Sequence, residues 1–142
     1  FRLDDLQAPV LLIKLRHLDD WTRSRQENAA HYDALLASAN LTGRIRPPVR
    51  RAGARHIFYQ YVIRTPRRDE LRKHLEAHGV GTEIYYPLSL HEQRCFAYLE
   101  HSPEDFPEAQ AASREVLALP IYPELTAGQR EHVVRSIASF FG

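Results

Sequence analysis

Between positions 56 and 86 the chain carries an apolar run, then a helical stretch closed by glycine, then a second short run of β-branched and aromatic side chains. That order constrains the fold more than any other feature. The first run, HIFYQYVIR, places Ile57, Tyr59, Tyr61 and Ile63 on one face and His56, Phe58, Gln60, Val62 and Arg64 on the other. Both faces are largely apolar, which predicts a central strand over 56–64, and Tyr59, Tyr61 and Tyr86 read as core residues. Thr65 followed by Pro66 predicts an N-cap and a first helical residue, with Leu71 and Leu75 inward. Gly79 ends that helix, and Val80 is placed to meet Leu75 in a Schellman arrangement. Residues 82–86 read as the next strand, stopped by Pro87.

Upstream, residues 4–38 read as one long helix, capped by Asp4 or Asp5, with apolar positions recurring every three and four residues. Val10 to Ile13 is apolar on all sides, so its first half is expected to be covered by other structure. Pro9 is expected to strain or kink the first turns. A helix this long suits an interdomain connection, giving residues 1–38 as a long interdomain helix and 39–142 as a C-terminal small α/β domain. Residues 40–55 read as a loop or weak edge strand carrying Arg44, Arg46, Arg50, Arg51 and Arg55, a solvated connection with anion contact as the sharper alternative. Downstream come a short helix over 92–99, a helix started by Asp105 and Pro107, and a strand over 116–119. Thr126 and Gln129 form a capping box that opens a last helix with Val133, Val134, Ile137, Phe140 and Phe141 inward. The fold class is therefore α/β, of the two-layer α+β kind: a long N-terminal helix, then a small sheet with helices packed on one side.

At 142 residues and a net charge of +1, the composition is that of one ordinary globular domain and does not announce a nucleic-acid binder. No apolar run approaches a membrane span and no secretory pattern appears, so no membrane partner and a cytoplasmic address are expected. Cys95 is the single cysteine, which excludes a disulfide framework and reads as a small buried hydrophobe. Of the 19 basic residues only Lys14 and Lys73 are lysine, and the chain has no methionine. It reads as the tail of a longer polypeptide. His74 and His78 stand four apart on a helix, but no third ligand accompanies them and no metal site is expected. His17, His31, His101 and His132 read as surface or boundary residues. The aromatic strand resembles a base-stacking platform, yet the glycines of an RNA-binding motif are missing.

Four segments carry a family resemblance: RLDDLQA at 2–8, HIFYQYVIR at 56–64, GVGTEIYYPLSLHEQ at 79–93 and EVLALPIYPELTAGQ at 115–129. In that order and spacing they resemble the C-terminal part of the DegT/StrS family of pyridoxal-phosphate (PLP) sugar aminotransferases, over practically the whole chain. The resemblance implies the small domain of a type I aminotransferase fold and a homodimer with active sites at the subunit interface. It implies a nucleotide-sugar substrate and an amino-acid donor, usually glutamate, with PLP held by a lysine as the electron sink. In the family that lysine, the pyridine-nitrogen carboxylate and the ring-stacking residue belong to a large N-terminal domain. Neither Lys14 nor Lys73 matches the Schiff-base position, so no catalytic residue is assigned and the chain alone is expected to be inactive. Arg2 matches an arginine that reaches toward the neighbouring subunit's cofactor, and is the cofactor-binding candidate. Tyr85 stands where many members have histidine, His91 matches a later histidine, and His56 matches the histidine at the strand start. These three are the substrate-binding candidates. A free-standing α/β ligand-binding or protein-interaction module is the alternative, and a small RNA binder using residues 44–64 a further one.

Overall fold

A computed structural model describes residues 4–142. Arg2, the expected cofactor contact, lies outside the described residues. The sheet has two strands, β1 (Tyr61–Arg64) and β2 (Val116–Leu119), paired antiparallel with Tyr61 opposite Leu119 and Ile63 opposite Leu117. Those four side chains share one face and all are buried, because alternation puts every second residue on the same side. A single bridge from Arg46 to Arg64 extends the sheet on the β1 edge, and one from Glu83 to Ala118 on the β2 edge. So β1 is interior, as its apolar faces require.

The strand is shorter than its sequence suggests. Phe58 adopts φ 47°, a left-handed conformation uncommon for a bulky side chain, and this breaks the alternation. Phe58 is thereby buried alongside Tyr61, whereas Ile57 and Tyr59 turn out to solvent; Tyr59 is 77% exposed. The expectation of Tyr59 in the core is corrected on that ground. Residues 82–86 likewise form no strand: only Glu83 pairs, and Tyr86 is exposed. Cys95 is exposed and not buried.

Local signals set the helices. Thr65 Oγ1 accepts from the Arg67 amide at 3.4 Å, and α3 (Arg68–Ala77) starts after it, two residues later than Pro66 suggested. Leu71 and Leu75 are fully buried. Gly79 takes φ 72°, the Gly79 amide donates to Glu76 O at 3.0 Å, and the Val80 amide donates to Leu75 O at 2.9 Å. This is the Schellman motif, and Val80 is buried against the helix it closes. Gly79→Ala would meet no atom within 4 Å, so its expected cost is backbone strain alone, about 1–2 kcal/mol. A lower urea midpoint at unchanged m checks it. Pro107 opens α4 (Pro107–Glu115), and the Thr126/Gln129 capping box opens α5 (Ala127–Phe141), with Val133, Val134 and Ile137 buried. The short helix expected over 92–99 is two 3-10 turns, Leu90–Glu92 and Arg94–Leu99.

The N-terminal span is two helices, α1 (Gln7–Leu15) and α2 (Leu18–Ser38), not one. The Arg16 and His17 amides bond three residues back, to Ile13 O and Lys14 O, so the axis tightens there. Pro9 sits in the first turn of α1, where its missing donor is one of the orphans, and the break falls well beyond it. Asp4 Oδ1 accepts from the Leu6 amide at 2.8 Å in the turn before α1, whose N-cap position is Leu6 and carries no side-chain cap, so neither Asp4 nor Asp5 is the N-cap. No residue of α1 is buried, and Leu6, Val10, Leu11, Leu12, Ile13 and Leu15 all face solvent in this chain. By contrast α2 buries Ala29, Tyr32 and Leu36 and packs on α5, which also packs on α3. The arginine-rich connection is tied down by ion pairs: Arg46 and Arg64 to Glu115, Arg50 to Asp33, Arg55 to Asp19. No described helix is long and apolar enough to cross a membrane.

Candidate functional site

The Schellman turn at Gly79 throws the chain across the sheet edge. Glu83 and Ala118 exchange backbone hydrogen bonds of 3.1 and 2.9 Å, which pins residues 81–85 beside the end of β2. Tyr85 then stands over a cleft of about 320 Å³ lined with Tyr59, Gln60, Thr82, Glu83, Pro120 and Ile121. The polar groups are two phenols, an amide, a hydroxyl and a carboxylate, all able to bond hydroxyl or phosphate oxygens or their protons. Glu83 spends one oxygen on the Ile84 amide at 3.0 Å. No histidine or lysine lines this cleft. It can bind and orient a polyol, and it presents no amine for a Schiff base.

His56 does not join Tyr85 directly. It lines a neighbouring cleft of about 440 Å³ with Arg55, Ile57 and Val62, and Tyr59 and Gln60 form the wall between the two. Its Nδ1 accepts from the Phe58 amide at 3.0 Å, and its ring lies 4.2 Å from that of Phe58. An amide can only donate, so Nδ1 is the acceptor in this contact. Gln26, on α2, donates to His56 O at 2.8 Å. His56 thus fixes the turn that buries Phe58 and exposes Tyr59 to the cleft.

His91 stands apart from both, in an apolar cavity of about 440 Å³ beside Phe106. The Glu92–Gln110 bond of 3.4 Å ties its turn to α4. His91 Nε2 is shut off from water and has no hydrogen-bond partner. The three sequence candidates therefore divide among three cavities. Tyr59 and Gln60 emerge as the residues that join two of them; their place in a presumed strand hid this, because the Phe58 turn has no signal in local alternation.

Behind the clefts lie two buried tyrosines. Tyr61 donates to Asp33 Oδ1 at 2.5 Å, and Tyr32 donates to Pro120 O at 3.0 Å. Burial raises both phenol pKa values well above the ordinary range, and for Tyr61 the hydrogen bond to Asp33 adds to it. Among the described residues no group of three or more His, Cys, Asp or Glu could hold a metal.

Residues 1–138 match the sequence profile of the DegT/DnrJ/EryC1/StrS aminotransferase family. The chain belongs to that family. It is 44% identical over 140 residues to a pleiotropic regulatory protein of Geobacillus stearothermophilus, a match covering 99% of this chain and 37% of that protein. It is 41% identical over 137 residues to dTDP-3-amino-3,4,6-trideoxy-alpha-D-glucose transaminase of Streptomyces venezuelae, covering 96% and 35%. The crystal structure of S. venezuelae DesV in complex with a ketimine intermediate superposes with a TM-score of 0.92 at 38% identity, over 98% of this chain and 37% of that one. The resemblance read from the four segments and the α/β fold class are both borne out. This aminotransferase-family chain spans little more than a third of the length of the relatives it matches.

Proposed function

We propose that this chain is the C-terminal part of a PLP-dependent aminotransferase that moves an amino group, from glutamate, onto a nucleotide-linked keto sugar, and that it supplies one wall of the substrate site without catalysing alone. The observation that carries the reading is the family match over residues 1–138 set beside a cleft rich in hydrogen-bonding groups and free of lysine. Relatives include transaminases whose names specify dTDP- and UDP-linked sugars, which points to a nucleotide sugar here. The described residues do not fit PLP itself. Lys14 lies on α1, beside Leu11, Leu15 and Trp21, and Lys73 on an exposed face of α3; neither lines the Tyr85 cleft. The cofactor, the base and the second subunit of a homodimer belong to the complete, cytoplasmic enzyme.

Within that reading, residues 1–38 connect this unit to the cofactor domain, and the bare apolar surface of α1 is the surface that domain covers. Arg2 is the candidate contact to the neighbouring subunit's cofactor. Tyr85 and His56, through Tyr59 and Gln60, hold sugar and phosphate oxygens, while His91, in its separate cavity, is the third candidate contact. The Tyr85 hydroxyl can both donate and accept a hydrogen bond, so its part in this reading is to orient substrate.

The purified chain, mixed with PLP and reduced with borohydride, is expected to show no adduct concentrated on one lysine. Specific trapping on Lys14 or Lys73 would overturn the claim of inactivity. Residues 4–142 grafted in place of the matching part of the S. venezuelae transaminase should give an active chimera. In it, Tyr85→Phe should raise KM for the nucleotide sugar about three- to tenfold with kcat nearly unchanged, the signature of a lost uniform hydrogen bond. A soluble chimera that binds PLP but never turns over would sink the reading.

A further inference from the structure

We infer that Gln26, on α2, is a positioning residue for the Tyr85 cleft: by holding the His56 carbonyl it keeps Tyr59 and Gln60 on the wall which that cleft shares with its neighbour. This rests on the reading above that the cleft takes a nucleotide sugar. Tyr59 and Gln60 line both cavities, of about 320 and 440 Å³, so a change in their aim reshapes both at once. They offer a phenol and an amide, each able to give and to accept a hydrogen bond. Gln26 touches neither cavity and acts only through the turn that carries these two side chains.

That turn is backbone the sheet cannot hold. The ladder ends with Tyr61 opposite Leu119, and the next pair would set Gln60 against Pro120, which has no N–H to give. The polar backbone groups just upstream must be met from elsewhere. The Phe58 amide finds His56 Nδ1 at 3.0 Å, a bond inside the turn itself. The His56 carbonyl finds Gln26 Nε2 at 2.8 Å, across thirty residues of sequence. Between these two bonds Phe58 takes φ 47°, with its side chain buried and the Arg50 guanidinium 4.9 Å over its ring. A left-handed bulky residue persists only where its surroundings over-determine it, and such strain collects at functional sites. His56 belongs to the turn and moves with it, and Arg50 touches only the Phe58 ring while pairing with Asp33. Gln26 instead bonds the turn's backbone from a helix fixed in the core by Ala29 and Tyr32. Tyr59 and Gln60 are strung between that anchored turn and the first residue of β1, so their aim follows the anchor.

The experiment is an NMR titration of the whole chain with dTDP-glucose in about 0.3 M salt, where an added charge weighs little. The native chain should show a strong amide–Hα contact within Phe58, the mark of its positive φ, and shifts at the Tyr59 ring and the Gln60 side-chain amide. Gln26→Leu removes the donor at similar size. It should weaken the Phe58 contact and raise the apparent Kd about three- to tenfold, with the urea midpoint little changed. Gln26→Asn, one methylene shorter, should match it, and Gln26→Lys, which restores a donor, should return Kd to within about twofold of native. In the chimera Gln26→Leu should raise KM by the same factor and leave kcat nearly unchanged. A native Kd with a lower urea midpoint, an unaltered Phe58 contact, or no shift at Tyr59 and Gln60 in the native chain would each overturn the role of Gln26. None of these touches the aminotransferase reading, which turnover by the unsubstituted chimera tests separately. A chimera that never turns over, beside a native chain that responds as expected, would sink that reading and leave Gln26 in its role.

Discussion

Taken from pH 9 to pH 12, the chain is expected to lose about 5.6 kcal/mol of folding stability through two side chains. Tyr32 and Tyr61 are fully buried, and both phenols are held neutral in the fold by burial first of all. Their folded-state pKa values are raised, while in the unfolded chain each releases its proton near the ordinary value of about 10. A group of this kind contributes stability that is complete below the unfolded pKa and drains away as pH rises above it. Each buried tyrosine then costs about 1.4 kcal/mol per pH unit above 10, and two of them over two units give the total. For a domain whose stability is of order 5–15 kcal/mol this is a third or more of the total, and one at the low end of that range reaches its midpoint by pH 12.

The arginine-rich composition makes the result readable. Among the described residues every ion pair uses arginine except that of His101 with Asp105, and guanidinium stays charged throughout this range. Urea midpoints at stepped pH, with tyrosinate absorbance followed in parallel, give the measurement. Of the seven tyrosines, Tyr32 and Tyr61 should ionise only as the fold opens. Tyr61→Phe should halve the slope above pH 10, and a slope unchanged by that variant would sink the assignment. At neutral pH the same variant leaves Asp33 paired with Arg50 and should cost only about 1 kcal/mol.

What was legible in the residues was what depends on near neighbours. Gly79 with Val80, Pro107, and Thr126 with Gln129 each specify a helix end through bonds within a few residues, and each is found where expected. The strand β2 was legible too, because Val116 to Leu119 is a short apolar run with proline after it. Phe58 was not. Its positive φ is held by the ring of His56, by Arg50 stacked 4.9 Å over its own ring, and by Gln26 reaching across from α2 to His56 O. No period-two pattern can register a contact thirty residues away. The same holds for residues 82–86, whose composition suits a strand but whose only ladder partner is Ala118. For α1, an all-round apolar helix announces that it needs a cover without saying which surface provides it, and this chain leaves it bare. Tyr85, His56 and His91 were singled out through the family pattern; their division among three cavities follows from the Phe58 turn and the 3-10 turns before α4, both set by packing.

Arg130→Ala is expected to cost about 3 kcal/mol, more than a boundary arginine usually does, because of what its removal strands. From α5 its Nη1 donates to Asn28 Oδ1 and to Leu125 O, and its Nε donates to His31 Nδ1 at 2.8 Å. Asn28, only 5% exposed, passes the connection on by donating to Tyr122 O at 2.8 Å. One guanidinium therefore links α2, α5 and the 120–125 turn, which the sequence disperses over a hundred residues. Truncation leaves a buried amide oxygen and a buried carbonyl without donors, each worth about 1–3 kcal/mol if unfilled by water. Arg130→Lys keeps the charge but not the fork, and should recover less than half of the loss. In a double-mutant cycle with Asn28→Ala the coupling should be about 1–2 kcal/mol. A loss under 1 kcal/mol for Arg130→Ala would mean that α2 and α5 hold the turn by apolar packing alone. The consequence reaches the clefts, since Pro120 and Ile121 wall the Tyr85 cleft and Tyr32 is bonded to Pro120 O. Faster amide exchange at Tyr122 and Leu125 in the Arg130→Ala chain, with the Gly79 turn unaffected, would place the loosening at that wall and not across the whole fold.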